Sequence, residues 1–205
     1  MMETTTSITR NKYNRNSGLY DLFEFPAEIL LYGRWRKQLF SNIGNQKFLE
    51  VGVGTGKNFN YHPAGSMAIG VDLSEGMLRK AKLKSKQKTK ILIQTDIQHL
   101  PFADATFDQV VATFVFCSVP DPVVGLREIR RILKPDGKLY LLEHVLPENK
   151  ILAKLFNAFN FITVKRGGFF INRRTAENVK AAGFRIVKEN NLLSTVFKSF
   201  IFEPG

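Results

Sequence analysis

Short apolar runs, each followed by a polar or amphipathic stretch, divide much of this chain of 205 residues into strand-then-helix units. FLEV (48–51), MAIGVDL (67–73), ILIQTD (91–96), FDQVVATFVFC (107–117) and KLYLLEHV (138–145) predict strands. Between them, SEGMLRKAKLKS (74–85) and DPVVGLREIRRILK (121–134) predict helices. Ser74 fits the N-cap of the first, with Glu75 in its opening turn. Asp121 can cap the second, Pro122 fits its first position, and Pro135 with Gly137 should stop it. Strands that are almost continuously apolar are buried on both faces, which is the mark of a parallel sheet covered by helices on each side.

The two ends of the chain break this rhythm. Residues 173–182 predict a helix stopped by Gly183. FRIVKEN (184–190) and TVFKSFIFE (195–203) then follow as strands with only a short connection. Parallel neighbours need a long crossover, so this pair should be antiparallel. At the other end, residues 1–18 offer few apolar anchors and predict a flexible segment, whereas 19–40 predict a helical cover with a break at Pro26. The expected fold is therefore α/β: a Rossmann-like doubly wound sheet, mostly parallel with an antiparallel C-terminal strand pair. It should form one domain over 1–205.

Composition narrows the partners. An apolar content of 44% supports a globular chain, and no apolar run approaches the ~20 residues of a membrane-spanning helix. The polar start MMETTTSITRNKYNRNSG lacks the apolar stretch of a signal peptide, so a cytoplasmic location is expected. Cys117 is the single cysteine, which rules out an internal disulfide and a multi-cysteine zinc site. The net charge of +12 favours an acidic partner: nucleic acid, an anionic membrane surface or an acidic substrate. Part of it lies in RKAKLKSKQKTK (79–90), which reads either as a solvated helix end and loop or as a binding patch.

The candidate chemistry starts at LEVGVGTGKN (49–58). Glycines after a strand let the backbone approach a ligand closely, and in an open parallel sheet ligands sit at the carboxyl ends of the strands. A phosphate-binding P-loop needs Gly-Lys-Ser/Thr, but Gly56-Lys57 is followed by Asn58. The dinucleotide fingerprint, started at Gly52, would need its third glycine at Lys57. Instead Glu50 precedes the glycines, Asp72 ends the second strand and Asp96 ends the third. A carboxylate 20 residues beyond Gly52 is placed to accept hydrogen bonds from a ribose diol. Three ordered acids disfavour a pyrophosphate and suit a cationic nucleoside such as S-adenosylmethionine.

At these residues the chain resembles the class I S-adenosylmethionine-dependent methyltransferases, in the "type 11" branch. The resemblance runs through LEVGVGTGKN, GVDLSEGMLRKA, TDIQHLPFADATFDQVV, LREIRRILKPDGKLYLLEH and GGFFINRRTAENVKAAGF. The branch holds bacterial phospholipid N-methyltransferases, quinone C-methyltransferases and membrane-associated thiol methyltransferases; FCSVPDP, LEHVLP and GGFFINRRT are most similar to the phospholipid and thiol enzymes. The resemblance implies S-adenosylmethionine as cofactor and S-adenosylhomocysteine as product. It implies Glu50 near the cofactor's ammonium, with Gly52, Gly54 and Gly56 beneath the methionine part. Asp72 would take the ribose hydroxyls, with Leu73 and Met77 beside the adenine. Asp96 would contact the adenine amino group and Ile97 the ring, while Thr113 borders the methionine portion. Tyr13, Tyr20 and Asp21 match an N-terminal segment that lies over the cofactor.

Methyl transfer from a sulfonium is an in-line displacement that needs positioning and dryness; a base is needed only when the nucleophile must lose a proton. Glu143 and His144, at the end of the fifth strand, are the candidate catalytic pair, although a histidine there also reads as structural. His99 reads as shaping the adenine loop, His62 as a loop residue and Cys117 as a small buried side chain. No cluster has metal-ligand spacing, so no metal is expected. In 148–170, Ile151, Leu152, Leu155, Phe156, Phe159 and Ile162 share one helical face flanked by Lys150, Lys154, Lys165 and Arg166. That segment reads either as a helix packed on the core or as an interfacial helix or lid over a greasy substrate. The leading expectation is methyl transfer to a small apolar or lipid-like acceptor, a phospholipid amine ahead of a quinone precursor or a thiol, with peripheral contact to an anionic membrane. The alternatives are an RNA or other nucleic-acid methyltransferase, against which the fourth strand ends in CSVPDP rather than Asn/Asp-Pro-Pro-Tyr, and a non-catalytic S-adenosylmethionine-binding protein.

Overall fold

The computed structural model describes residues 5–85 and 91–205. The end of the basic run 79–90 and the first four residues of the segment expected to be flexible lie outside them. Seven strands form one sheet in the order β3-β2-β1-β4-β5-β7-β6. They are β1 (Phe48–Val51), β2 (Ala68–Asp72), β3 (Ile91–Gln94), β4 (Phe107–Thr113), β5 (Leu133–His144), β6 (Phe184–Leu193) and β7 (Phe197–Pro204). Pairings from β3 through to β5 are parallel; β5 with β7 and β7 with β6 are antiparallel. The chain winds outward from β1 to β3 and returns to β4 on the other side, so the crevice between β1 and β4 is the switch point at which ligands bind in such sheets.

The period-2 alternation of the central strands feeds two cores. Val110 and Ala112 of β4, with Leu139 and Leu141 of β5, pack towards Leu126, Ile129 and Ile132 of the helix α5 (Pro122–Ile132). Val111, Tyr140 and Leu142 face the opposite way, onto Trp35, Leu39 and Phe40 of α3 (Gly33–Phe40). The remaining helices are α1 (Thr5–Asn16), α2 (Tyr20–Ala27), α4 (Glu75–Lys84), α6 (Lys150–Gly167) and α7 (Thr175–Ala181). Both capping expectations hold: Ser74 Oγ accepts from Met77 N at 3.2 Å, and Asp121 Oδ1 from Val123 N and Val124 N at 3.0 and 3.1 Å.

Several boundaries differ from the sequence reading, each for a physical reason. β4 ends at Thr113 rather than running to Cys117, because Phe114 turns into the left-handed region (φ 58°) and Glu143 takes the next two amide protons. α5 stops at Ile132, and β5 begins at once: Leu133 pairs with Phe107 and Lys138 with Gln109, so residues 134–137 bulge out of the strand instead of ending the helix. The last helix begins at Thr175, not at 173.

The N-terminal segment expected to be flexible contains α1. It has no buried residue and is held by polar contacts. Asn14 Oδ1 accepts from Ser74 Oγ at 2.6 Å and Gly76 N at 3.0 Å, and Lys12 Nζ donates to the Val164 carbonyl of α6 at 2.7 Å. A Cβ on Gly76 would lie 2.8 Å from Ser17 Oγ, so this approach needs glycine. Residues 20–40 are helical throughout; downstream of Pro26 the helix widens into a π turn at Glu28–Tyr32. Such a widening reseats backbone bonds displaced by a proline.

Candidate active site

The turn after β1 wraps over the end of β2: Gly52 N and Val53 N both donate to the Val71 carbonyl, at 2.8 and 3.1 Å. Gly52, Gly54 and Gly56 adopt φ of 65°, 54° and 81°, values that favour glycine. The two first glycines face different surroundings. A Cβ on Gly52 would lie 2.4 Å from Val115 Cγ2, whereas one on Gly54 would meet nothing within 4 Å. Gly54 therefore leaves open the floor of a cavity at the carboxyl ends of β1, β2 and β4.

That cavity is lined by many of the residues read from the sequence. Gly52, Gly54, Asp72, Leu73 and Met77 form one side, Asp96 and Ile97 another, and Thr113 borders β4. Tyr13 and Tyr20 reach it from α1 and α2, with ring centroids 6.4 Å apart. Thr9, Ser74, Ser118, Val119 and Pro120 also line it and were not foreseen. Asp21 stands behind, tying α2 to Thr55 at 2.5 Å and to Lys84. Asp72 accepts from Gly54 N and Ser74 N, each at 2.8 Å. Burial pushes its carboxyl up to about 6, against the pull of those amide bonds. Burial also raises the Tyr13 and Tyr20 phenols, so both stay neutral.

Four candidates lie off the cavity lining. Gly56 packs against Phe59 and α4 instead: a Cβ there would sit 2.6 Å from the Phe59 ring. Glu50 is wholly enclosed. Its Oε1 accepts from Asn58 Nδ2 and its Oε2 from His62 Nε2, both at 2.7 Å, so the carboxylate expected beside a cofactor ammonium is spent inside the protein. His62, expected as a loop residue, is thus a buried partner of the strand. Glu143 and His144 do not line the cavity either. Glu143 Oε1 accepts from Val115 N at 2.8 Å and Phe116 N at 3.0 Å, while Oε2 is buried with no partner among the described residues. Burial raises its carboxyl to about 8, so it is protonated at neutral pH. His144 Nε2 donates to the Phe170 carbonyl at 3.0 Å, and burial lowers its basicity. Cys117 offers its sulfur within 4.8 Å of ligand atoms of both, but burial holds the thiol protonated and the Arg173 guanidinium is close enough to act on it. A cation there would face an adjacent positive charge.

Sequence reasoning missed the polar cluster behind the turn. Arg36, 4% exposed, donates from Nε to Glu28 at 3.1 Å and from Nη1 to Asn58 Oδ1 and Thr113 Oγ1, both at 2.7 Å. The signal was present: Arg36, Leu39 and Phe40 share a helical i, i+3, i+4 face, and a charge on an otherwise apolar face needs a partner.

A family model for the methyltransferase domain matches residues 49–141. A thiol S-methyltransferase of Mus musculus, TMT1B, is 32% identical over 75% of this chain and 68% of its own length. A demethylmenaquinone methyltransferase of Staphylococcus saprophyticus is 32% identical over 75% of this chain and 70% of its own. This chain belongs to the class I S-adenosylmethionine-dependent methyltransferases, type 11 branch. The ubiquinone/menaquinone biosynthesis C-methyltransferase UbiE of Haemophilus ducreyi extends the similarity to 98% of this chain and 82% of its own, at 27% identity. Among solved structures, an S-adenosylmethionine-dependent methyltransferase of Thermotoga maritima superposes with a TM-score of 0.73, covering 95% of this chain and 99% of that one at 19% identity. The [4+2]-cyclase SpnF superposes at 0.67 and 18% identity over 83% of this chain and 80% of its own, so the fold by itself does not fix the reaction. This methyltransferase uses S-adenosylmethionine and releases S-adenosylhomocysteine. The cavity suits that molecule: an acceptor-only carboxylate at Asp72, apolar walls at Met77 and Ile97, and a glycine floor without side chains.

Proposed function

We propose that this methyltransferase acts on a lipophilic small molecule that it meets at an anionic membrane surface, with a lipid amine as the favoured acceptor. Helix α6 carries the reading. Of the two readings open for 148–170, packing on the core is not supported, since none of its residues is buried. Ile151 is 74% and Phe161 70% exposed, and Leu155, Phe159 and Ile162 are exposed beside them. Lys150, Lys154, Lys165 and Arg166 flank this surface, and the chain carries +12 overall. An apolar helical face bordered by cations matches the headgroup region of an anionic bilayer. Leu22, Phe25, Ile29 and Leu30 of α2 and the π turn add further exposed apolar surface. No helix among the described residues is long and apolar enough to cross a membrane.

Within the cavity, Asp72 holds the ribose hydroxyls, with Leu73 and Met77 against the adenine. Asp96 serves the adenine amino group and Ile97 the ring face. Gly52 and Gly54 let the methionine part lie against the backbone, and Tyr13 and Tyr20 cover it and exclude water. When bound, S-adenosylmethionine supplies a methyl group on a positively charged sulfur. The chain's task is then to align the acceptor and keep the site dry. Among the described residues the lining includes no imidazole and no lysine, Asp72 is engaged by two amides, and Asp96 accepts from Gln98. With no base in that lining, an amine acceptor, an ammonium in bulk water, attacks from its neutral fraction after giving its proton to solvent. The quinone and thiol named for the relatives support a small acceptor, and each, like the ammonium of a lipid amine, must lose a proton before it attacks.

The test is flotation with vesicles of phosphatidylethanolamine and phosphatidylglycerol, followed by labelled methyl transfer. Parallel tubes hold a demethylated hydroquinone, an alkyl thiol and RNA. Flotation and label in the amine lipid are expected. Failure to float with no labelled lipid overturns the reading, and label in the hydroquinone or thiol alone reassigns the acceptor atom.

A further inference from the structure

Thr113 sits where β4 meets the cavity and is 7% exposed. Its hydroxyl has two lone pairs and one proton. Both lone pairs are taken, one by Arg36 Nη1 at 2.7 Å and one by Asn58 Nδ2 at 2.9 Å. The direction of these bonds is not adjustable. A guanidinium can only donate. Because Arg36 also donates to Asn58 Oδ1, the Asn58 amide is turned so that its NH2 faces Thr113 and Glu50. Glu50 accepts from Asn58, and His62 fills the other oxygen, which locks the amide in that sense. Thr113 is left with its proton alone to offer, and no described protein group receives it.

We infer that Thr113 donates its hydroxyl proton to the carboxylate of the methionine part of the bound methyl donor, and that Arg36 is the positioning residue that forces it to do so. This rests on the cavity's being the S-adenosylmethionine site. Asp72 and Thr113 end strands on opposite sides of β1, so they address opposite ends of a bound molecule. Asp72 accepts, and therefore suits hydroxyls. Thr113 donates, with a guanidinium directly behind it, and therefore suits an anionic oxygen; an ammonium has no lone pair to give it. The sequence suggested that Glu50 makes this end attract a cation. With Glu50 enclosed by Asn58 and His62, the group at the cavity surface has the opposite polarity.

Calorimetry on the full chain separates the carboxylate from the rest of the ligand. S-adenosylmethionine is compared with its decarboxylated analogue, which lacks only that group. Wild type should prefer the carboxylated ligand. Thr113→Val should bind S-adenosylmethionine about ten- to hundred-fold more weakly, the loss expected for one hydrogen bond to a charged group, and bind the analogue within about twofold of wild type. Thr113→Ser keeps the proton and should restore the preference. Arg36→Lys cannot serve Glu28, Asn58 and Thr113 together and should reduce the preference as valine does. Equal weakening of both ligands by Thr113→Val, or no weakening of either, overturns the inference. If Arg36→Lys does not fold, the threonine pair decides alone. Failure of wild type to bind either ligand would instead count against the assignment of the cavity.

Discussion

The two sides of the sheet's switch point are built on opposite principles. On one side, around β1, β2 and the end of β4, polar side chains engage one another: Arg36 with Glu28, Asn58 and Thr113, and Glu50 with Asn58 and His62. On the other side, around Cys117, Glu143 and His144, burial favours the uncharged form of each group, and the nearby helix α6 presents apolar side chains to solvent. A fixed small molecule can be specified by fixed hydrogen bonds, because each buried polar group must have its partner. The apolar acceptor proposed above would give such a network little to hold, in keeping with a side from which charge is excluded. Under the proposed function, recognition of the methyl donor would lie in geometry and choice of acceptor in polarity.

The strongest test of the donor side is Asp72→Asn. The amide halves the acceptor capacity at the ribose end and turns its N–H donors towards either Gly54 N or Ser74 N. S-adenosylmethionine affinity is expected to fall about 100-fold, equivalent to about 2.7 kcal/mol. The wild-type carboxyl, raised to about 6 in the free protein, adds a pH signature. Protonation removes the acceptor, so affinity should fall as pH drops through about 6 in wild type and stay flat in the variant. A flat wild-type profile would deny Asp72 this role.

The glycine pair distinguishes a structural turn from a ligand floor. Gly52→Ala adds a Cβ 2.4 Å from Val115 on top of an unfavourable φ, whereas Gly54→Ala meets only the φ penalty and open space. Urea unfolding should show a loss of about 3 kcal/mol for the first, and of about 1 kcal/mol for the second. The second should still weaken S-adenosylmethionine binding, since its methyl group enters the cavity. Equal losses of stability would mean that the turn relaxes freely.

These features were unequally legible. The strands from β1 to β5 and the helices between them announced themselves through apolar runs and caps, and Asp72 and the glycines followed from spacing. What stayed hidden depends on partners far apart in sequence. Glu50 looked free because His62, read as a loop residue, closes back on it across 12 positions. Helix α1 has no apolar stripe and stands on Asn14 and Lys12, whose partners lie in α4 and α6. Glu143 was a candidate base by its place at a strand end, yet its neighbours are backbone amides of the turn after β4.

That role for Glu143 predicts its own pH dependence. With a folded value of about 8 against an ordinary 4.5, the fold keeps a proton that the unfolded chain has given up. Stability should therefore decline as pH rises between those values, by at most about 1.4 kcal/mol per pH unit. Glu143→Gln keeps an oxygen for the Val115 and Phe116 amides and cannot ionise. Chemical unfolding of both forms from pH 5 to 9 should show the variant gaining on wild type as pH rises. A constant difference would mean that the carboxyl titrates normally.

The smallest expected effect bears on the proposed acceptor side. Phe161→Glu on α6 replaces a 70% exposed aromatic, so it removes little packing and should move thermal stability by less than about 0.5 kcal/mol. S-adenosylmethionine binding should be unchanged, because the residue lies off the donor cavity. Binding to anionic vesicles should weaken about tenfold, through lost apolar contact and an added negative charge near anionic headgroups. Phe161→Leu keeps an apolar side chain and should retain most of that binding. If the glutamate variant floats with vesicles as wild type does, α6 is not the membrane-facing element, and the exposed residues of α2 and the π turn become the segment to test. If both variants lose vesicle binding equally, ring shape matters more than polarity, and the division between a geometric donor side and an apolar acceptor side fails at α6.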